Sequence, residues 1–571
     1  MANYEVLNTA NDAGSNTMTS PMARSARAIA LSNPNVLRGG ATIPSFAKTA
    51  FKYWDLPTDK YVEVLVVSRL TPRFRRPSMN RYLSFRRAFA FVLISSAILP
   101  SVANAKAPGE AAYVVQPARI NGLSDFVDGV MAQQIATREV AGAVVTVVHQ
   151  GKVLFSRGYG FADVDSSIAV DGEQTLFRPG SVSKMFTWTA LLQQVEAGRV
   201  DLDADVNIYL DFKIPEFEGQ PIRVRDLLTH TPGMSDVGGL TAPSLDKLKP
   251  YAEWMKTHVP TRHWRPGTET SYSNYGTVLA GYIVERVTGE PFPDYVERHI
   301  FAPLGMTSTT FREPLPAALI PRMATGYQFK DGRLIADPFE LFSPVMPAGS
   351  ATSSGPDMAR FMIAMMNRGA VGKARILKPA SVKLLMTNSV ANAPDLPGMA
   401  HGFFVVREAG PRLVGHGGNT GDFHSNMILA PEAELGFFIS ETGGQGSYGG
   451  RTELTEALIG RIFPQNRAPR IAAPSSEILP LGAYRGNRRD YTQTPDPKRD
   501  LKVAAAGTNA VTVTSEGKTT YWERVGPKRF EQVTGARAGG PFEQLRFHGA
   551  EGRWRLSFTS QPHLLYHLVK P

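Results

Sequence analysis

Ser181-Val182-Ser183-Lys184 combines a hydroxyl with an amine three positions later. On a helix that spacing sets Ser181 and Lys184 on one face, with the ammonium near the hydroxyl. A neutral lysine can accept a serine proton, provided burial or a neighbouring cation lowers its pKa. A helix that opens here adds positive potential where an oxyanion would form. The chemistry implied is attack by Ser181, with Lys184 in reach of its proton. The spacing alone is not specific, since Ser244-Leu245-Asp246-Lys247 repeats it. The 571-residue chain has no cysteine, which excludes disulfides, thiolate metal sites, iron–sulfur clusters and a cysteine nucleophile. It also lacks a His-Glu-x-x-His pairing and a Gly-x-Ser-x-Gly elbow, which argues against zincins and α/β-hydrolases.

Other stretches follow the first in a fixed order. Leu227-Leu228-Thr229-His230-Thr231-Pro232-Gly233 comes next, then Tyr272-Ser273-Asn274, then His416-Gly417-Gly418. Taken together, with Pro303-Leu304-Gly305-Met306 and residues 349–358, they carry more weight than any one. On these residues the sequence resembles the serine β-lactamase and penicillin-binding-protein superfamily, nearest its class C branch, over residues 123–463. The resemblance implies a nucleophile at Ser181 and a Lys184–Tyr272 pair that shares the proton work. It further implies Asn274 as partner of the substrate amide or of Lys184. His416, Gly417 and Gly418 would form the third motif, with an oxyanion hole from the Ser181 and Asn419 amides. That third motif departs from the family's usual Lys-Thr-Gly. A histidine there is neutral for much of the time at pH 7, which weakens binding of a substrate carboxylate and puts efficient β-lactam hydrolysis in doubt.

The elements that must position these residues are partly readable. Residues 142–162 predict a hairpin turning at Gln150-Gly151, and apolar spacing over 120–135 predicts a helix packed on it. A second helix is expected at 185–197, ended by Gly198. Strands return at 402–406, 413–414, 426–429 and 435–439, so the reading is α+β, with a sheet closed by distant parts of the chain. The resemblance implies a β-lactamase/transpeptidase-like fold over 117–465: an antiparallel sheet flanked by helices, plus a helical subdomain. A Pro/Ala/Ser linker at 466–480 leads to a small antiparallel β domain at 481–571, with strand-like runs at 510–514, 519–525, 542–547 and 553–558. Tyr521, Trp522 and Trp554 are expected in its core.

The formal net charge of +11 is concentrated at the N-terminus, where residues 1–105 hold 13 Lys/Arg against 5 Asp/Glu. Arg81, Arg86 and Arg87 precede a 12-residue apolar run at 88–99, and Ala103-Asn104-Ala105 is a small-x-small cleavage site. Residues 79–105 therefore read as a signal peptide, since a span needs about 20 apolar residues; the alternative is an uncleaved anchor, through which alone a membrane would be a partner. Residues 1–78 are read as a non-native or disordered extension, with translation expected to start at Met79. The expected location is periplasmic or secreted. The body carries little excess charge, so nucleic acid is not an expected partner, and a small molecule or peptide is.

Three further features are read as structural. Asp201 to Asn207 imitates a calcium loop, but Val206 stands where glycine is required and Phe212 where the bidentate glutamate belongs. No metal and no cofactor is expected. His230 is expected to position a loop near the site, and His424 to line the pocket or face solvent. The expected function is an exported serine hydrolase acting on an ester, a D-amino-acid peptide or amide, or a β-lactam. The alternative is a penicillin- or peptidoglycan-binding sensor that acylates without turnover.

Overall fold

Gln150 and Gly151 both adopt positive φ, 51° and 73°, closing a two-residue turn whose twist suits a hairpin. The computed structural model describes residues 113–569 apart from 409, 473, 475, 476, 536 and 537; the segments 1–78 and 79–105 lie outside the described residues. Helix α1 (Leu123–Ala136) precedes the hairpin strands β1 (Gly142–His149) and β2 (Lys152–Asp163), and β3 (Ile168–Ala169) edges them. The chain then builds α2 (Lys184–Glu196), α3 (Asn274–Thr288) and α4 (Gly355–Met366). It returns as β4 (Phe404–Arg407), β5 (Leu413–Asn419), β6 (Phe423–Ala430) and β7 (Leu435–Thr442), followed by α5 (Gln445–Ile462). The seven strands form an antiparallel sheet in the order β4-β5-β6-β7-β1-β2-β3. Val145 of β1 faces Ile439 of β7 across nearly three hundred residues of sequence, so the α+β reading with a sheet closed by distant segments holds.

Strand alternation divides the body into two cores. Val144 and Val148 point to the helices, packing with Phe177, Phe186, Trp188 and Phe438. Ala143, Val145 and Val147 point the other way, to Val127 and Met131 of α1 and Leu454 and Leu458 of α5. Phe186 sits at the centre of the first core, its ring 4.7 Å from Phe361 and 5.0 Å from Phe301. Burying each such side chain contributes about 1.5–3 kcal/mol. That packing clamps α2, and with it the turn that precedes it.

The C-terminal part is a closed eight-stranded barrel, where the sequence suggested four runs. Its strands are β8 (Gly482–Gly486), β9 (Leu501–Ala505), β10 (Ala510–Ser515), β11 (Lys518–Gly526), β12 (Arg529–Gln532), β13 (Gln544–His548), β14 (Arg555–Phe558) and β15 (Tyr566–Leu568). β8 pairs with β15, Tyr484 opposite Leu568, which closes the ring. Val511, Trp522, Phe530, Leu545 and Phe547 fill it, whereas Tyr521, turned outward by strand alternation, and Trp554, just before β14, are only half-buried. The Pro/Ala/Ser segment ahead of the barrel is pinned to it: the Ile471 amide donates to Arg524, and Glu477 pairs with the buried Arg524. Among the described residues no helix is long and apolar enough to cross a membrane.

Candidate active site

Ser181 lies in a 3-10 turn, Gly180–Ser183, immediately before α2 begins at Lys184. The 3-10 geometry, three residues per turn, eclipses side chains i and i+3 and so sets Lys184 over Ser181. The Lys184 Nζ is 3.1 Å from Ser181 Oγ, 2.8 Å from Asn274 Oδ1 and 2.7 Å from the Ala348 carbonyl. Two of these three partners, an amide oxygen and a carbonyl, can only accept. A neutral amine donates its two protons to them and leaves its lone pair facing the Ser181 hydroxyl. Lys184 is fully buried, and burial, reinforced by the Arg488 guanidinium, holds its pKa well below the ordinary lysine value. The lowered pKa favours the neutral amine, and the three contacts accommodate it.

Tyr272 and Asn274 arrive with α3. Ser273 caps that helix, its hydroxyl accepting from the Gly276 amide at 3.0 Å, which fixes the residues on either side. The Tyr272 hydroxyl is buried and directed at Ser181, which favours its phenolate, yet no hydrogen bond of ordinary geometry satisfies it. Burial dominates and raises the Tyr272 pKa, so the phenol is protonated at rest.

The third motif lies on β5, which continues through His416, Gly417 and Gly418 to Asn419. A Cβ on Gly418 would overlap the Pro179 carbonyl and stand 2.9 Å from the Ser181 amide. A Cβ on Gly180, whose φ is +53°, would stand 2.8 Å from the Asn419 amide. Glycine at both positions lets the two backbones approach and brings the Ser181 and Asn419 amides together. Gly417 alternates to the other face, where a Cβ would meet Asn426 and Arg451. Gly418→Ala is expected to lower hydrolytic activity at least about 10²-fold, the usual cost of one oxyanion donor; the ratio of kcat/KM to the parent chain checks it.

His416 donates from Nδ1 to the Gly417 carbonyl at 2.6 Å, and burial pulls its pKa down to about 3. It is neutral throughout the physiological range. His230 is buried beside Tyr272, ring centroids 4.4 Å apart, and its Nδ1 accepts from the Ser273 amide at 3.2 Å. His424 is buried on β6 and bonds the Asn419 side chain at 2.8 Å, behind the motif rather than in the cleft. The cleft itself is lined by Ser181, Leu240, Asn274, Phe342, Val345 and Asn419. A larger cavity of about 240 Å³ beside Trp254 and His258 contains none of the motif residues. The second Ser-x-x-Lys stretch is a surface turn, with Ser244 bonded to Asp246 and Lys247 exposed. The calcium-loop look-alike is a capped turn, Asp205 accepting from the Asn207 amide at 2.9 Å. Among the described residues no group of three or more His, Asp or Glu could hold a metal ion.

The sequence gives no sign of what the barrel adds. The His563 carbonyl accepts from the Tyr272 amide at 3.1 Å, and Pro562 and Asn487 bond Thr270 at 2.8 and 2.9 Å. The Arg488 guanidinium stands 4.6 Å from the Tyr272 ring centroid, with Asp236 on its Nε at 3.0 Å. Residues this far along the chain in a run such as Arg485 to Asp490 carry no local mark of a catalytic contact.

A family model described as Beta-lactamase matches residues 127–458, more than half of the chain. The chain belongs to the beta-lactamase family of serine hydrolases. It is 26% identical over 322 residues to Protein flp of Staphylococcus aureus strain N315, covering 56% of this chain and 63% of that one. It is 32% identical over 228 residues to the putative penicillin-binding protein PbpX of Bacillus subtilis strain 168, covering 39% and 54%. The family chain thus spans less than two thirds of the length of these curated relatives. Among solved structures, the octameric penicillin-binding protein homologue from Pyrococcus abyssi is similar in fold, with a TM-score of 0.53 at 22% identity over 78% of this chain and 100% of that one. That extent exceeds the family match, so the likeness takes in more than the catalytic body.

Three histidines of this family member, the buried His416 and His424 and the half-buried His563, have pKa values lowered to about 3 by desolvation. Unfolded, each titrates near 6.5, so between pH 6.5 and 3 the unfolded chain binds protons that the folded one does not. The contribution of these histidines to stability therefore falls as pH falls through that window, each by up to about 1.4 kcal/mol per pH unit. Thermal melts of the parent chain and His563→Phe are expected to diverge between pH 6.5 and 4.5. His563→Phe, which keeps the stacking on Phe404, is expected to flatten the acid slope.

Proposed function

We propose that the chain is an exported serine hydrolase that acylates Ser181, and that it prefers an ester or a D-amino-acid peptide or amide over a β-lactam. The observation that carries the reading is the bonding of Lys184, whose two obligate acceptors leave its lone pair for the Ser181 proton. Ser181 Oγ attacks the substrate carbonyl as its proton moves to Lys184 Nζ. The Ser181 and Asn419 amides hold the oxyanion, and Lys184 and Tyr272 pass the proton on to the leaving group. Water then attacks the acyl-enzyme by the reverse route. The preference against β-lactams rests on His416, which is neutral where a lysine would bind a substrate carboxylate.

Export rests on the segment 79–105, and a mature N-terminus near Lys106 is the expected result of sequencing the secreted protein. Residues 106–571 assayed with a chromogenic ester, a D-alanyl peptide and a chromogenic cephalosporin test the substrate reading. Turnover of the first or second above the third supports it. A burst on the cephalosporin without turnover of any would favour the penicillin- or peptidoglycan-binding sensor instead.

A further inference from the structure

We propose that Arg488, carried in by the barrel, is the fixed cation of this site and tunes the Lys184–Tyr272 pair through Tyr272. The inference rests on the reading of Ser181, Lys184 and Tyr272 as the reacting group. Arg488 immediately follows Asn487, which is tied to Thr270 two residues before Tyr272, so its place is set by the docked barrel. Its Nε is held by Asp236 at 3.0 Å, its side chain is 11% exposed, and its Nη2 is buried without a partner. The guanidinium carbon stands 4.6 Å from the Tyr272 ring centroid, and Lys184 Nζ stands 4.9 Å from the same centroid.

The charged and titratable groups around Tyr272 come from five directions. Lys184 comes from α2, His230 from the loop after residues 224–228, Asp236 from the following loop, and His416 from β5. His563 and Arg488 come from the barrel. Burial keeps the three histidines neutral, and Asp236 is spent on Arg488. Among the described residues in this group, Arg488 is the one guanidinium, placed where its charge reaches both Lys184 and Tyr272. That charge opposes the Lys184 ammonium and favours the Tyr272 phenolate, and both effects shift the pair toward its proton-poor, base-competent state. Asp236 acts with the opposite sign on both groups. The barrel thereby supplies the cation that the third motif lacks, acting through Tyr272 rather than on substrate.

The test is the pH dependence of kcat/KM in the full chain between pH 6 and 10, with p-nitrophenyl acetate, an uncharged ester that offers Arg488 no carboxylate. Arg488→Met is expected to move the ascending limb up by about one pH unit, with the plateau recovered to within about tenfold. Arg488→Lys is expected to restore most of that shift. Asp236→Asn, which breaks the same ion pair but removes the opposing charge, is expected to move the limb down. Thermal melts identify any variant that fails to fold, and the Lys and Asn variants then carry the test. A limb that stays in place while the plateau drops, or one that moves the same way in Arg488→Met and Asp236→Asn, would overturn the proposal and leave Arg488 a docking residue. Activity that survives Ser181→Ala would instead overturn the catalytic reading on which the proposal stands.

Discussion

Replacing Lys184 by Met is expected to lower kcat/KM for a chromogenic ester by about 10³- to 10⁴-fold, the upper part of what a positioned base contributes. Methionine matches the lysine stem in length and is at home in a buried site, so the cleft keeps its shape. The change removes the lone pair beside Ser181 Oγ and leaves Asn274 Oδ1 and the Ala348 carbonyl without their donor. Each lost partner costs about 1–3 kcal/mol of stability, offset by relief of a fully buried amine. Tm should therefore move little while acylation collapses. Stopped-flow acylation with p-nitrophenyl acetate checks this. A loss below tenfold would show that Ser181 finds its proton acceptor elsewhere.

The second large effect concerns the barrel. A chain ended after Phe463 keeps the seven-stranded sheet, α2 and α3, and loses the bonds that tie Thr270, Ser271 and Tyr272 to Asn487, Pro562 and His563. It also loses the Glu269 pairs with Arg555 at 2.6 Å and His567 at 3.0 Å. The Thr270 carbonyl and the Tyr272 amide are then without partners, and the Tyr272 ring loses Arg488. Esterase activity is expected to fall at least about 10²-fold, since small misplacements of a catalytic group are costly. Asn487→Ala in the full chain removes one of these ties and is expected to show a milder loss of the same kind. Circular dichroism establishes whether the shortened body is folded; a folded body with full activity would contradict the role given to the barrel.

Legibility in the sequence followed how local each signal is. The hairpin at Gln150-Gly151 and the helix carrying Lys184 were readable because turn residues and apolar spacing are short-range properties. Strand β5 was legible only at Leu413 and Val414, because His416, Gly417 and Gly418 carry no β-propensity and glycine weakens a strand pattern. Those glycines make sense only when β5 lies against the Gly180–Ser183 turn, a contact between segments more than 200 residues apart. In the barrel, β8, β9 and β12 are short and mix charged with apolar residues, and β15 has three residues only, so they fell below the alternation that marked Ala510–Ser515 and Lys518–Gly526. Arg488 and His563 had no local signature at all, since their place beside Tyr272 follows from how the barrel docks.

The most direct measurement is intact-protein mass spectrometry of residues 106–571 after brief mixing with a slowly released acyl donor. One added acyl group per chain is expected, mapped by fragmentation to the peptide bearing Ser181, decaying as product forms and absent in Ser181→Ala. An adduct on another residue, or one that persists in Ser181→Ala, would contradict it.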